Sequence, residues 1–160
     1  MDKDATPEPP PTSPAFLIMS LGRRLREEVE HELAPHRISL RHFSALGHLA
    51  REPGLSYSEL ARRAGITVQS MQATLRHLED LGTVERRTAP GRGLSAELHL
   101  TDQGDKLLTA GRQLVTAADE RLLATLPTEQ RAVLGRLLFD VFRAAVSPSP
   151  DEAAAGRRPR

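Results

Sequence analysis

Residues 67–81, TVQSMQATLRHLEDL, carry side chains that can recognise the edges of base pairs. In a helix, steps of about 100° per residue place Met71, Leu75 and Leu78 together on an apolar face. The opposite face carries polar or small side chains that are candidates for DNA contact: Gln69, Ser70, Gln72, Ala73, Arg76 and His77. Glutamine can bond adenine, arginine can bond guanine, and alanine can contact the methyl group of thymine. An ordinary amphipathic helix with a solvated face shows the same pattern, so the neighbouring elements must decide between the two interpretations.

A short hairpin is expected directly after this helix, and it carries arginines. Arg86 and Arg87 belong to VERR, the first predicted strand, and Arg92 is at the centre of TAPGRGLS, residues 88–95. In AELHLT, the second predicted strand, apolar and polar side chains alternate. A Gly-Arg-Gly tip can place a guanidinium in a narrow, negative minor groove, whereas an isolated hairpin would be a solvated turn. In the first case Arg86 and Arg92 supply phosphate and groove contacts, and Arg87 is a further candidate for DNA contact.

The rest of the sequence predicts helices that position these two elements. An apolar residue recurs at every fourth position of the first helix: Leu17, Leu21, Leu25, Val29 and Leu33. Pro35 ends this helix, and Ser39 is the expected cap of the second. Ser58 is the expected cap of a short third helix, and Gly65 forms the turn before the fourth. Thr101 would cap a long fifth helix, and LPTEQ would begin a sixth. Two short helices, a glycine turn and a hairpin are the order of a winged helix-turn-helix.

The composition argues against several other functions. The 160 residues contain no cysteine, which excludes disulfides, thiolate metal sites and a cysteine nucleophile. The common nucleophile, phosphate-binding and zinc-protease motifs are absent, and the histidines lack the spacing of metal ligands. We therefore expect no catalytic residue, no metal and no cofactor. A net charge of +1 does not by itself support nucleic-acid binding, which depends on where the charges lie. Without an apolar run of about 20 residues or a signal-peptide core, we expect a soluble cytoplasmic protein.

The segments SELARRAGIT, LEDLGTVERR and LTDQG resemble the MarR family of winged helix-turn-helix transcription regulators, over about residues 15–146. The resemblance implies a mainly α fold, in which long N- and C-terminal dimerisation helices form the base of a homodimer and two winged lobes contact DNA. It also implies repression that a small molecule relieves. Members of the family usually carry an Asp-Arg pair near the wing tip, but here Arg92 stands between glycines. We therefore expect a wing that is mobile in the free protein and ordered on DNA.

The resemblance further implies an effector cleft between the dimer base and the DNA-binding lobe, lined partly by the second helix. His42 falls at the edge of the apolar face of that helix. His42, Phe43 and Gly47 are candidate wall residues, with Gly47 leaving room for a ligand. Alternatively, His42 packs at the helix edge with one hydrogen bond, and Gly47 allows close helix packing.

The sequence thus predicts a homodimeric, sequence-specific DNA-binding regulator, whose partners are a pseudo-palindromic DNA duplex, a second copy of the chain and a small-molecule effector. We expect disordered tails at residues 1–14 and 147–160. Between them a winged helix-turn-helix domain covers 15–146, with the DNA-binding lobe at about 39–101. A winged-helix surface that binds another protein, without specific DNA binding, is the alternative.

Overall fold

The computed structural model describes residues 13–87 and 97–146, without the side chain of Val146. The elements within these ranges are α1 Pro14–Leu33, a 3-10 helix Ala34–His36, α2 Leu40–Arg51, α3 Tyr57–Ala64, α4 Val68–Asp80, β1 Val84–Arg87, β2 Glu97–Leu100, α5 Asp102–Leu122 and α6 Thr128–Val146. The predicted wing tip with Arg92 lies outside the described residues, as do nearly all of the predicted tails. No helix of the described ranges is long and apolar enough to cross a membrane. Apart from the short 3-10 helix, the element order is the predicted one.

The chain divides into two compact units between Asp119 and Glu120, within α5. The first unit contains α1 to β2 and most of α5. The second contains the end of α5 and all of α6.

The apolar stripe of α1 is confirmed as a helical face, but only part of it is buried. Val29 and Leu33 are buried, and Leu25 is partly buried against the same core. Leu17 and Leu21, closer to the N-terminus, keep 46% and 47% of their surface exposed. The C-terminal half of α1 therefore packs against the core of the first unit, while its N-terminal half presents apolar side chains to solvent.

The helices α2, α3 and α4 surround one apolar core, in which Leu49, Leu60 and Leu75 are fully buried. The cap of α3 is Ser56, so the prediction of Ser58 was wrong. The hydroxyl of Ser56 accepts the Glu59 amide at 3.3 Å, and the Ser56 amide donates to the Glu59 carboxylate at 2.9 Å. This capping box is a Ser-x-x-Glu signal that the sequence contains.

The hairpin is antiparallel and is held at its base by the helices on either side. Val84 pairs with Leu100, and both Val84 and Leu98 are buried. Gly82, which follows the C-cap of α4, has a φ of +67°, a conformation that glycine adopts at little cost. The hydroxyl of Thr101 donates to the Gly82 carbonyl at 2.7 Å and accepts the Gly104 amide at 3.1 Å. Thr101 is thus the predicted cap of α5 and also joins that helix to the end of α4.

Most of the large apolar side chains described in the second unit are exposed. Arg131 donates to the carbonyls of Leu126 and Ala124, at 2.8 and 3.3 Å, and so closes the turn that precedes α6. On α6 the described side chains include large apolar groups with more than two fifths of their surface exposed: Val133, Leu137, Leu138, Phe139, Val141 and Phe142.

Candidate nucleic-acid interface

The polar face of α4 is exposed, as the sequence predicts. Thr67 caps the helix by accepting the Ser70 amide at 3.2 Å, while Met71, Leu75 and Leu78 are fully buried and fix the rotation of the helix. The solvent side carries four exposed side chains, called here the reading face: Gln69, Gln72, Ala73 and Arg76. Within the described ranges, no hydrogen bond or ion pair of the chain involves the side chains of the two glutamines or of Arg76. These side chains are available to a ligand.

Ser70 and His77, predicted on the same face, have partners inside the chain. The Ser70 hydroxyl accepts from Thr67 Oγ1 at 3.0 Å and belongs to the cap of α4. His77 Nε2 lies 2.6 Å from the carbonyl oxygen of Arg37, to which it can donate. Arg37 has a φ of +59°, an uncommon value for a residue other than glycine. His77 therefore joins α4 to the linker before α2, a contact between residues 40 positions apart that periodicity does not reveal.

Arg86 has partners on two helices. Its guanidinium makes a short hydrogen bond to the Tyr57 hydroxyl, lies 3.4 Å from Glu79 Oε1, and sits 5.2 Å from the centre of the Tyr57 ring. The Tyr57 hydroxyl in turn donates to Glu79 Oε1 at 3.3 Å. Partial burial and then the Glu79 carboxylate raise the pKa of Tyr57, against the opposing effect of Arg86, so the phenol is protonated at neutral pH. The sequence predicts a DNA contact for Arg86, but its pattern gives no sign that Tyr57 is the partner of Arg86 in the fold.

Arg87 also has a partner, but on its own strand. Its guanidinium lies 2.6 Å from Glu85 Oε1, and both side chains are largely exposed. Since residues two apart on a strand share a face, the pair Glu85 and Arg87 was visible in the sequence. Exposed ion pairs contribute little to stability, so this arginine can change partner at small cost.

His42 lies where α2 begins and faces α4. Its Nδ1 accepts the Ser39 amide at 3.0 Å and lies 2.7 Å from the Ser39 hydroxyl, so His42 completes the cap of its own helix. Its ring centre is 4.7 Å from that of His77. Partial burial lowers the pKa of His42 from its ordinary value, as do His77 and Arg41, whereas Glu30 opposes them. The neutral form of His42 is therefore favoured, and only an unprotonated Nδ1 can accept the Ser39 amide.

A cavity of about 420 Å³ lies beside His42, between α1, α2 and α4. Its lining is largely polar, and Ala73 and Thr74 contribute to it from α4. The lining residues are Arg26, Glu30, Ser39, Arg41, His42, Ala73 and Thr74. Two guanidinium groups and one carboxylate thus face a space next to the helix that is predicted to contact DNA.

Phe43 and Gly47, the other candidate wall residues, do not line this cavity. A Cβ built on Gly111 would lie 2.6 Å from the Phe43 ring, so the ring packs against the backbone of α5. A Cβ on Gly47 would meet no described atom within 4 Å. The described residues therefore give no support to close helix packing at Gly47. The structure brings only His42, of the three, to the cavity.

Comparison with known proteins gives consistent matches. Residues 38–93 match the sequence model of the MarR family. The HTH-type transcriptional repressor Rv2887 of Mycobacterium tuberculosis is 40% identical over 123 residues, which are 77% of this chain and 88% of that protein. A crystal structure of Rv2887 in complex with DNA has a TM-score of 0.71 at 37% identity, covering 81% of this chain and 98% of that chain. The structure of Rv2887 with salicylic acid has a TM-score of 0.67 at 38% identity, covering 81% and 96%.

Proposed function

The chain belongs to the MarR family of winged helix-turn-helix transcription regulators, and on this premise we propose a homodimeric, sequence-specific DNA-binding repressor that a small molecule releases. The observation that carries the proposal is the reading face of α4. Its Gln69, Gln72 and Arg76 are exposed without a described partner, on a helix whose other face is buried. In this arrangement the three side chains discriminate bases, and Ala73 allows close approach to the groove.

The partner is a double-stranded DNA whose symmetry matches that of a dimer. Rv2887, the relative with 40% identity, has been crystallised with DNA, which supports the same partner for this chain. Two-fold symmetry predicts a pseudo-palindrome with half-sites about one helical turn apart. We place the DNA-binding lobe at about residues 39–101, within a functional body of 15–146 that the tails 1–14 and 147–160 flank.

The experiment that tests this function is selection of duplexes by the purified full chain from a random-sequence pool, at two salt concentrations. We expect enrichment of a pseudo-palindromic sequence at both. Retention of every duplex alike, with no enriched sequence at either concentration, would overturn specific DNA binding. It would favour a winged-helix surface that binds another protein.

Exposed apolar side chains on α1 and α6 support the homodimer. Near the start of α1, the helix exposes Phe16, Leu17, Ile18, Met19 and Leu21. On α6, Leu137, Phe139, Val141 and Phe142 expose more than half of their surface. Contiguous apolar surface of this kind is typical of a protein–protein interface. We assign both surfaces to a second copy of the chain.

The cavity beside His42 is the proposed effector site. Its arginines, Arg26 and Arg41, suit an anionic ligand, and Ala73 and Thr74 would transmit its presence to α4. Rv2887 has been crystallised with salicylic acid, which supports an aromatic carboxylate as the ligand class. A second cavity of about 350 Å³, which Lys106 helps to line, lies away from the reading face.

A catalytic activity is not part of this proposal, because the family and the relatives are transcription regulators. The proposed place of action is the compartment that holds the chromosome, which in a bacterium is the cytoplasm.

A further inference from the structure

The side chains of Tyr57, Glu79 and Arg86 form a cluster, called here the Arg86 cluster, at the end of the reading face. Tyr57 is the first residue of α3, Glu79 is in the last turn of α4, and Arg86 is on β1. Arg86 and the Tyr57 hydroxyl both bond the same oxygen of Glu79. The cluster therefore joins the two helices of the helix-turn-helix to the first strand of the wing.

The direction of Arg86 follows from its position on the strand. Side chains alternate along a strand, so Arg86 shares the face of Val84, which is buried against the lobe. Glu85 and Arg87 are on the other face and pair with each other. Arg86 is therefore turned back over α3 and α4.

Glu79 has a second cation within reach on its own helix. Arg76 precedes Glu79 by three positions, and oppositely charged residues at this spacing attract each other on a helix surface. Both side chains line one shallow cavity with Gln72, Tyr57 and Arg86. The Glu79 side chain is only 24% exposed, so water screens its charge less than on an open surface. In the structure Arg86 and Tyr57 both donate hydrogen bonds to the Glu79 carboxylate, and Arg76 has no described partner.

We propose that Arg86 is a positioning residue for DNA recognition. Because Arg86 pairs with the Glu79 carboxylate, Arg76 remains free to reach a base. This inference rests on the proposed role of α4 as the reading helix. Without Arg86, Glu79 would pair with Arg76 and draw it away from the groove. In this account Arg86 need not contact DNA, and its effect on recognition passes through Glu79.

The test is a double-mutant cycle on full-length protein with Arg86→Ala, Glu79→Gln and the combination of both. The probes are the duplex that the unmodified protein selects and a scrambled duplex of the same composition. We expect Arg86→Ala to weaken binding to the selected duplex by about tenfold, within the range for one bidentate arginine–base contact. Its effect on the scrambled duplex should be smaller. Adding Glu79→Gln should restore affinity for the selected duplex to within about twofold of Glu79→Gln alone, because independent effects usually add to within about this factor.

Two further variants are the matched controls. Arg87→Ala removes a neighbouring arginine whose partner is Glu85. The change in DNA affinity that Arg87→Ala causes should therefore be the same with and without Glu79→Gln. Arg86→Lys keeps a cation near Glu79 and should retain most of the discrimination, which also covers the case in which Arg86→Ala fails to fold. A loss in Arg86→Ala that persists unchanged in the double variant would mean a direct DNA contact and would overturn the proposal. Unchanged discrimination in Arg86→Ala would overturn it as well.

A second measurement needs no DNA. The side-chain Nε–H signal of Arg76, assigned by its loss in Arg76→Ala, can be followed by NMR in the free protein. We expect slower exchange with water and a shifted signal in Arg86→Ala, and a return to the original signal when Glu79→Gln is added. An unchanged Arg76 signal would overturn the inference. If the unmodified protein selects no duplex, the proposed function fails, but this measurement still decides whether Arg86 keeps Glu79 from Arg76.

Discussion

The imidazole rings of His42 and His77 lie 4.7 Å apart, which brings the first turn of α2 into contact with the reading helix. Each ring also has a backbone partner: His42 Nδ1 accepts the Ser39 amide, and His77 Nε2 lies 2.6 Å from the Arg37 carbonyl. The linker between α1 and α2, the cap of α2 and the last turn of α4 are thus joined through two imidazole side chains. Protonation of His42, whose pKa is lowered by burial, would therefore disturb a contact on which the orientation of α4 depends.

Stability should fall on moderate acidification. The pKa of His42 in the folded chain is below its ordinary value of 6.5, chiefly because of burial. The unfolded chain therefore binds this proton more readily, and His42 contributes fully to the free energy of unfolding only above pH 6.5. The contribution is lost as the pH falls from 6.5 towards the folded pKa. Urea unfolding at pH 7.5 and 5.5 measures the difference. His42→Gln keeps an acceptor at this position of the cap but does not titrate, so its stability should depend less on pH. Equal pH dependence in both proteins would contradict the prediction.

Loss of Arg76 should reduce base discrimination. Arg76→Ala is expected to cost about 1–3 kcal/mol of binding free energy at the selected duplex and to relax the preference at one base pair per half-site. Arg62→Ala removes an exposed arginine from α3 and should leave that preference unchanged. Binding of both variants to a panel of single-base-pair variants of the duplex measures the effect. If Arg76→Ala weakened binding equally on every sequence, the side chain would not be reading bases.

Loss of Arg92 should weaken binding on all sequences alike. Arg92→Ala removes a cation from each half of the complex, so the slope of log affinity against log salt should become shallower by about 1 per removed phosphate contact. Arg24→Ala, which removes an exposed arginine from α1, is the comparison and should leave the slope nearly unchanged. An Arg92→Ala protein with the original salt slope would exclude a phosphate or minor-groove role for this residue.

The contact between α5 and the end of α4 should tolerate no side chain at Gly104. A Cβ there would lie 2.1 Å from the Thr83 carbonyl oxygen, which is backbone and cannot rotate away. Gly104→Ala is therefore expected to destabilise the protein by about 1–3 kcal/mol, the usual cost of overpacking. Gly22→Ala adds the same methyl group to α1, where the new Cβ would meet no described atom of another element within 4 Å. This variant should therefore be neutral or stabilising. Denaturant midpoints of the two variants give the comparison, and equal midpoints would show that α5 moves aside.

The two arginines of the cavity beside His42 should affect how readily an anionic ligand releases the protein from DNA. Salicylate is expected to release the unmodified protein from the selected duplex, and Arg41→Ala should need about tenfold more, since hydrogen bonds to charged groups contribute about 1.5–3 kcal/mol. Lys106→Ala removes a cation from the second cavity and should respond as the unmodified protein does. Titration of the protein–DNA complex with salicylate, followed by fluorescence anisotropy, measures release. The site would lie elsewhere if the Lys106 variant lost its response and the Arg41 variant kept it.

What the sequence determined by itself was local. Spacing alone placed Met71, Leu75 and Leu78 on the buried side of α4, because side-chain direction in a helix repeats with the geometry of the helix itself. The cap at Thr101 was equally readable, since a cap and the amide that it accepts are three residues apart. The winged order of elements followed from such local signals, and the family followed from the resemblance of three short segments.

The tertiary structure decided which polar side chains remain free. The sequence gives Arg76 and Arg86 the same prediction, because both are cations near the same predicted DNA-binding surface. In the fold Arg86 meets Tyr57, 29 positions away, while Arg76 is left without a described partner. Periodicity describes how a side chain points from its own element but carries no information about which distant group meets it. The physical reason is that a charge is satisfied by its nearest counterpart in space, and only the packing of α3, α4 and β1 sets that distance.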